Sequence, residues 1–191
     1  MGKGRVEAFS DGVIAVIITI MVLEMKAPHG ADLAAIRPVL PVFLTYVLSF
    51  VFIGIYWNNH HHMLHAAERI DGRTMWANLH LLFWLSLVPF VTSWMGQNHF
   101  AAAPTAIYGV VLLMAAVAYT LLQSAIVAAN GAGSRLAVAV GNDVKGKASM
   151  ACYIAAISLA FVNQWIADAL YVVVAIMWLV PDRRIEKTLA G

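Results

Sequence analysis

The stretch Asn58-Asn59-His60-His61-His62-Met63-Leu64-His65 gathers four of the chain's seven histidines into six positions. His61 and His65, four residues apart, share a face if the segment is helical, a spacing at which two imidazoles reach one metal ion. His80 and His99 are further possible ligands, so a histidine-bearing metal-ion transporter is one function to weigh. Against it, the run sits at the end of an apolar segment with no cysteine or intramembrane carboxylate beside it. A second polar group, Ser10-Asp11-Gly12, stands at the threshold of another apolar run. Asp168 is the only other acid close to such a run, and one acid is not a mechanism. No H-E-x-x-H or G-x-S-x-G string is present, so neither a zinc protease nor a serine hydrolase is indicated.

The elements that hold these groups follow from composition. Of 191 residues, 62% are hydrophobic and 12% charged, with a mean hydropathy of +0.79. Soluble domains carry about 25% charged residues. Half that charge is too little to cover a water-facing surface, so the chain is expected to be an all-α integral membrane protein. A net charge of +2 with no basic run argues against nucleic acid. Cys152, the single cysteine, excludes an intrachain disulfide and lies in an apolar stretch.

A spanning helix needs about 20 mostly apolar residues. Six candidates are expected, at about 6–25, 36–58, 75–95, 104–129, 148–162 and 166–180, in a single domain covering 1–191. Pro38 and Pro41 fall in the first turns of the second, Pro89 is expected to kink the third, and Pro181 closes the sixth. The last two are separated by Asn163-Gln164-Trp165. Residues 130–147, with four glycines, form the one long loop. With six spans, 10 of the 12 basic residues, including Lys3, Arg5, Arg69, Arg73, Arg135 and Arg183, fall on one side. Only Lys26 and Arg37 fall on the other. Positive residues stay cytoplasmic, so the chain is expected in the cell (inner) membrane with both termini in the cytoplasm. The first run ends in Leu23-Glu24-Met25-Lys26 without a small-residue cleavage site, so it is read as a span and not as a signal peptide.

Ser10 or Asp11 as an N-cap would start the first helix at Gly12 and leave 15 residues to Lys26, about 22 Å at 1.5 Å each. The apolar core of a bilayer is about 30 Å thick. The helix is therefore expected to start near Arg5 and to carry Glu7, Ser10 and Asp11 within it. They then need partners from other helices.

Arg5-x-x-x-Phe9-Ser10-Asp11-Gly12, with Thr19, Leu23-Glu24 and Tyr56-Trp57-Asn58-Asn59-His60-His61, resembles the transmembrane protein 175 family of endosomal and lysosomal potassium channels and their single-repeat prokaryotic relatives. The resemblance implies six transmembrane helices per subunit, with the first helix of each lining a central pore in a homotetramer. It implies a polar anchor network of Arg5, Phe9, Ser10 and Asp11, with Trp57 and His61 as partners. It implies a constriction of Val16, Ile20 and Leu23, which fall at i, i+4 and i+7, with Thr19 contributing to selectivity. The expected function is a modestly potassium-selective channel, with permeating K⁺ and no cofactor. The carbonyl filter of other potassium channels is missing: Thr105-Ala106-Ile107-Tyr108-Gly109 lacks its first glycine and reads as helix.

Overall fold

The computed structural model describes residues 2–131, 133–141 and 143–179. Arg183, Arg184 and Lys187 of the charge argument, and Pro181 at the expected end of the sixth span, lie outside the described residues.

Regular structure among the described residues is helical throughout: α1 (Lys3–Leu23), a 3₁₀ segment (Leu33–Val39) running into α2 (Leu40–Ala66), α3 (Gly72–Ser86), α4 (Val88–Gln97), α5 (Ala102–Asn130), the short α6 (Arg135–Val140), α7 (Val144–Leu159) and α8 (Gln164–Leu179). α1 begins just past Gly2, without a side-chain cap, so Ser10-Asp11-Gly12 lies inside the helix. The Ser10 hydroxyl donates to the Val6 carbonyl at 2.8 Å, which satisfies its proton within the helix.

Several boundaries differ from expectation. The second span was expected to end at residue 58. α2 instead runs to Ala66 and takes the histidine run into the helix. Nothing between Gly54 and Ala66 breaks a helix, Asn59 bonds back to the Ile55 carbonyl at 2.8 Å, and Lys3 Nζ satisfies the His65 carbonyl at 2.8 Å near the end. The third expected span is two helices that meet at Leu87. Pro89 has no N–H for the Leu85 carbonyl, so the ladder stops and restarts with the proline in the first turn of α4. The expected loop at 130–147 contains α6. The turn between the last two helices lies at 160–163, and Gln164 and Trp165 belong to α8 because the Asn163 side chain accepts from the Trp165 N–H at 3.0 Å.

Among the described residues, four segments are long and apolar enough to cross a membrane: Lys3–Leu23, Leu33–Ala66, Gly72–Gln97 and Ala102–Asn130. α7 and α8 have 16 residues each, about 24 Å at 1.5 Å per residue. Over the described residues, the helices of the expected fifth and sixth spans are thus shorter than the roughly 30 Å apolar layer. The protein is a multi-pass, all-helical membrane protein.

α5 is the central helix and packs on α3, α4, α7 and α8, while α1 lies at the edge against α2, α3 and α4. Small residues set these distances. A Cβ on Gly109 would land on the Tyr171 hydroxyl, which donates to the Thr105 carbonyl at 3.0 Å and so joins α8 to α5. Ser49, Thr92 and Tyr108 share buried hydrogen bonds of 2.6 and 3.0 Å that tie α2, α4 and α5 together. Lipid offers no donor or acceptor, so such groups must satisfy one another. Asn130 joins the ends: its carbonyl accepts from Glu68 N–H and Arg69 N–H at 2.9 and 2.8 Å, and its amide donates to the Arg69 carbonyl at 3.0 Å.

Candidate functional site

α1 has two faces of different chemistry. Val6, Ser10, Ile14, Ile17 and Met21, at spacings of three and four, are buried against α2, α3 and α4. The opposite arc is left uncovered by the subunit: Val16 is 56%, Ile20 42% and Leu23 75% exposed. Thr19 lies on the same arc, its hydroxyl donating to the Ala15 carbonyl at 2.9 Å. All four residues expected in the constriction and its selectivity therefore sit on one open face. Ala8, Gly12 and Ala15, also exposed, make the backbone there approachable.

A groove of about 990 Å³ runs between α1 and α4, with Phe9, Val16 and Ile20 on one wall and Pro89, Phe90 and Trp94 on the other. Its polar rim lies at the C-terminal end of α1. There Ser93 donates to Glu24 Oε2 at 3.3 Å and accepts from Gln97 at 2.8 Å.

At the N-terminal end, beside the Lys3 bond to the His65 carbonyl, the structure joins α1 to its neighbours through two contacts between side chains. Trp57 Nε1 donates to Asp11 Oδ1 at 3.0 Å, which brings those two expected residues together. The second contact is buried: His60 Nε2 donates to Asn78 Oδ1 at 2.7 Å, and Asn78 Nδ2 donates to Ser10 Oγ at 2.9 Å. α1, α2 and α3 meet at these three side chains, all 2% exposed or less.

The expected partner His61 is not a hydrogen-bonding member. It stacks on Trp57, ring centroids 6.3 Å apart, because at i+4 it lies above that ring on the open face of α2. His60 and Asn78, which the sequence reading did not single out, hold the buried position. Asn78 carried a signal: it is an amide inside an apolar helix, and such groups seek a bundle partner. His60 carried a weaker one, since Met63 and Leu64, three and four residues on, mark its face as the buried one. Arg5 is exposed and makes no hydrogen bond or ion pair among the described residues. It stands six residues from Asp11, which at 3.6 residues per turn puts the two on different flanks of α1. Phe9 is 54% exposed on the groove side.

His61 and His65 do lie together, stacked at 6.1 Å, but among the described residues no group of three or more histidine, cysteine, aspartate or glutamate side chains is placed to hold a metal ion. His80 is engaged elsewhere, accepting from Trp84 Nε1 at 2.9 Å. The metal-transporter reading has no support here. Asp168 has both carboxylate oxygens buried without a hydrogen-bond partner among the described residues, in α8, which packs on α2, α5 and α7.

A family model described as the endosomal/lysosomal potassium channel TMEM175 matches residues 5–89, the part of the chain that carries both polar contacts and the open α1 face. A protein named potassium channel from Chryseobacterium sp. (strain P1-3) is 51% identical over 99% of this chain and 98% of its own length. Another of that name, from Streptomyces collinus, is 37% identical over 63% of this chain and 62% of its own. The crystal structure of a lysosomal potassium-selective channel TMEM175 homolog from Chamaesiphon minutus superposes with a TM-score of 0.75 at 26% identity, covering 93% of this chain and 96% of that one.

Proposed function

The chain belongs to the TMEM175 channel family, and from that premise we propose that it is a potassium channel whose conduction path is lined by α1. The observation that supports this best is the open arc of α1, where bulky aliphatic side chains and one hydroxyl recur along a face the subunit itself does not cover. A single subunit with one such helix encloses nothing. Copies must meet around an axis, and a closed homotetramer gives four copies of each ring. Six spans per subunit follow if α7 and α8 cross with their flanking residues. Both termini then lie in the cytoplasm of a cell (inner) membrane protein.

In this reading Val16, Ile20 and Leu23 form successive rings of a hydrophobic neck. An ion passes it by giving up part of its water. K⁺ is larger than Na⁺ and holds water less firmly, so the neck favours K⁺ modestly. A hydrophobic neck also gates by dewetting. Thr19 spends its proton on the Ala15 carbonyl, which leaves its oxygen lone pairs for a cation. The Asp11–Trp57 bond and the buried Ser10–Asn78–His60 chain hold α1 in register against α2 and α3.

The deciding experiment is ion flux through purified oligomers in liposomes, K⁺ against Na⁺. Wild-type protein is expected to pass K⁺ several-fold faster. Ile20→Asn is expected to raise flux and reduce the preference, because a wetter neck demands less dehydration. Unchanged flux and preference in both Ile20→Asn and Leu23→Asn would take the conduction path off this face.

A further inference from the structure

A small cavity of about 40 Å³ lies between α2, α5, α7 and α8, with Tyr56, Asn59, Tyr119, Thr120, Asp143 and Tyr153 in its lining. It shares no lining residue with the groove between α1 and α4. It has room for about three water-sized guests. We infer that this cavity is a binding site for one small monovalent cation, held by the Asp143 carboxylate and the neutral oxygens around it. The site does not require α1 to line the conduction path. Only the naming of K⁺ as its occupant rests on the topology proposed above, which puts this end of the bundle in the cytoplasm, where K⁺ is the abundant monovalent cation.

The lining is rich in lone pairs and short of protons. The Asn59 amide donates to the Ile55 carbonyl at 2.8 Å, which leaves its side-chain oxygen. The Tyr119 hydroxyl donates to the Asn59 main-chain carbonyl at 3.4 Å, and the Thr120 hydroxyl to the Ala116 carbonyl at 3.0 Å. Asp143 Oδ1 accepts from the Gly146 N–H at 3.1 Å, while Oδ2 has no hydrogen bond among the described residues. Each of these groups has acceptor capacity to spare. Tyr153 is 2% exposed, yet its hydroxyl has no hydrogen-bond partner among the described residues. A buried hydroxyl without a partner is costly, so the cavity calls for a guest. An anion would meet the Asp143 charge. A divalent ion wants more than the one carboxylate in this lining. Water alone would satisfy the hydroxyls but leave that half-buried charge uncompensated. K⁺ is close to a water molecule in size and is bound by neutral oxygens elsewhere. The aromatic wall also suits positive charge: Trp178, another lining residue, carries the Lys145 ammonium 5.8 Å from its ring centroid. A cation here ties α2, α5 and α7 together. Tyr56 and Asn59 directly precede Trp57 and His60, so it braces the stretch of α2 that holds α1.

The test reads binding, not conduction. Melting of the purified oligomer is followed in K⁺ and in N-methylglucamine, an organic cation too large for the cavity, at equal ionic strength. K⁺ is expected to raise the midpoint by about 2 °C or more. Asp143→Asn is expected to abolish that difference and Tyr153→Phe to reduce it, whereas Ile20→Asn and Thr19→Val retain it. A full K⁺ effect in Asp143→Asn, or one lost only in the α1 variants, overturns the proposal. The second measurement needs no variant. In wild-type crystals soaked in thallium(I) nitrate, an anomalous peak is expected beside Asp143 and Tyr153. A cavity that holds water only, with Tl⁺ confined to the α1 face or absent, also overturns it. If the peak is present while Ile20→Asn leaves flux unchanged, the pore assignment has failed and the cation site stands.

Discussion

Ser10, Asn78 and His60 show how much one polar chain can decide at the level of single residues. Each is 2% exposed or less, and the hydrogen bonds between their side chains link α1, α2 and α3. Ser10→Ala removes the acceptor of the Asn78 amide and leaves a buried donor unpaired, at a cost of about 1–3 kcal/mol. Lower thermal stability of the oligomer, measured by size exclusion after heating, is the expected outcome. Asn78→Ala, which strips a partner from both neighbours, is expected to cost more. Thr19→Val keeps the shape of an exposed side chain and deletes its oxygen. It is expected to leave assembly intact and to reduce K⁺ over Na⁺ preference in the flux assay.

At the level of elements, helix ends carry predictions of their own. Asp71 caps α3 by accepting from the Thr74 N–H and hydroxyl, both at 2.8 Å. Those bonds to its charged form hold the carboxyl below its ordinary value of 3.8. A carboxyl depressed in the folded state contributes stability that is present above the unfolded value and lost as pH falls through the folded one. The cap is thus at full strength above about pH 4 and fails in more acid solution. Asp71→Asn is expected to keep a cap and lose that acid sensitivity in melting curves taken between pH 3 and 6. The α5–α8 contact depends on the missing side chain of Gly109. Gly109→Ala places a methyl on the Tyr171 hydroxyl and is expected to lower the melting temperature, with Tyr171→Phe relieving part of the clash.

The whole molecule poses the question of assembly. One subunit leaves Phe9, Val16, Ile20 and Leu23 of α1 and Phe90 of α4 open. Exposed apolar side chains on a membrane protein meet either lipid or another copy. Native mass measurement in detergent is expected to give four times the 20.7 kDa chain. In a Cys152→Ser background, a cysteine at Gly2 is expected to react with a membrane-impermeant reagent only from the cytoplasmic side. Labelling from outside would reverse the orientation inferred from the basic residues.

Solvent class was legible in the sequence because charge content alone cannot reconcile 12% charged residues with a watery surface. The start of α1 near its N-terminus was legible too, since a helix beginning at Gly12 is too short to span. The i, i+4, i+7 stripe of Val16, Ile20 and Leu23 was visible as a spacing, but spacing on a helix apolar all round does not say which face is open. Only the packing of α2, α3 and α4 against Val6, Ser10, Ile14, Ile17 and Met21 decided that. The same holds for the polar partners. The sequence shows that Ser10 and Asp11 need donors or acceptors from elsewhere. It does not show that Asn78, 68 residues away, supplies one of them, or that His60 and not His61 stands behind it. Local periodicity is written in the chain, whereas a contact between helices depends on their rotation and register, and these are fixed only when all the faces pack at once.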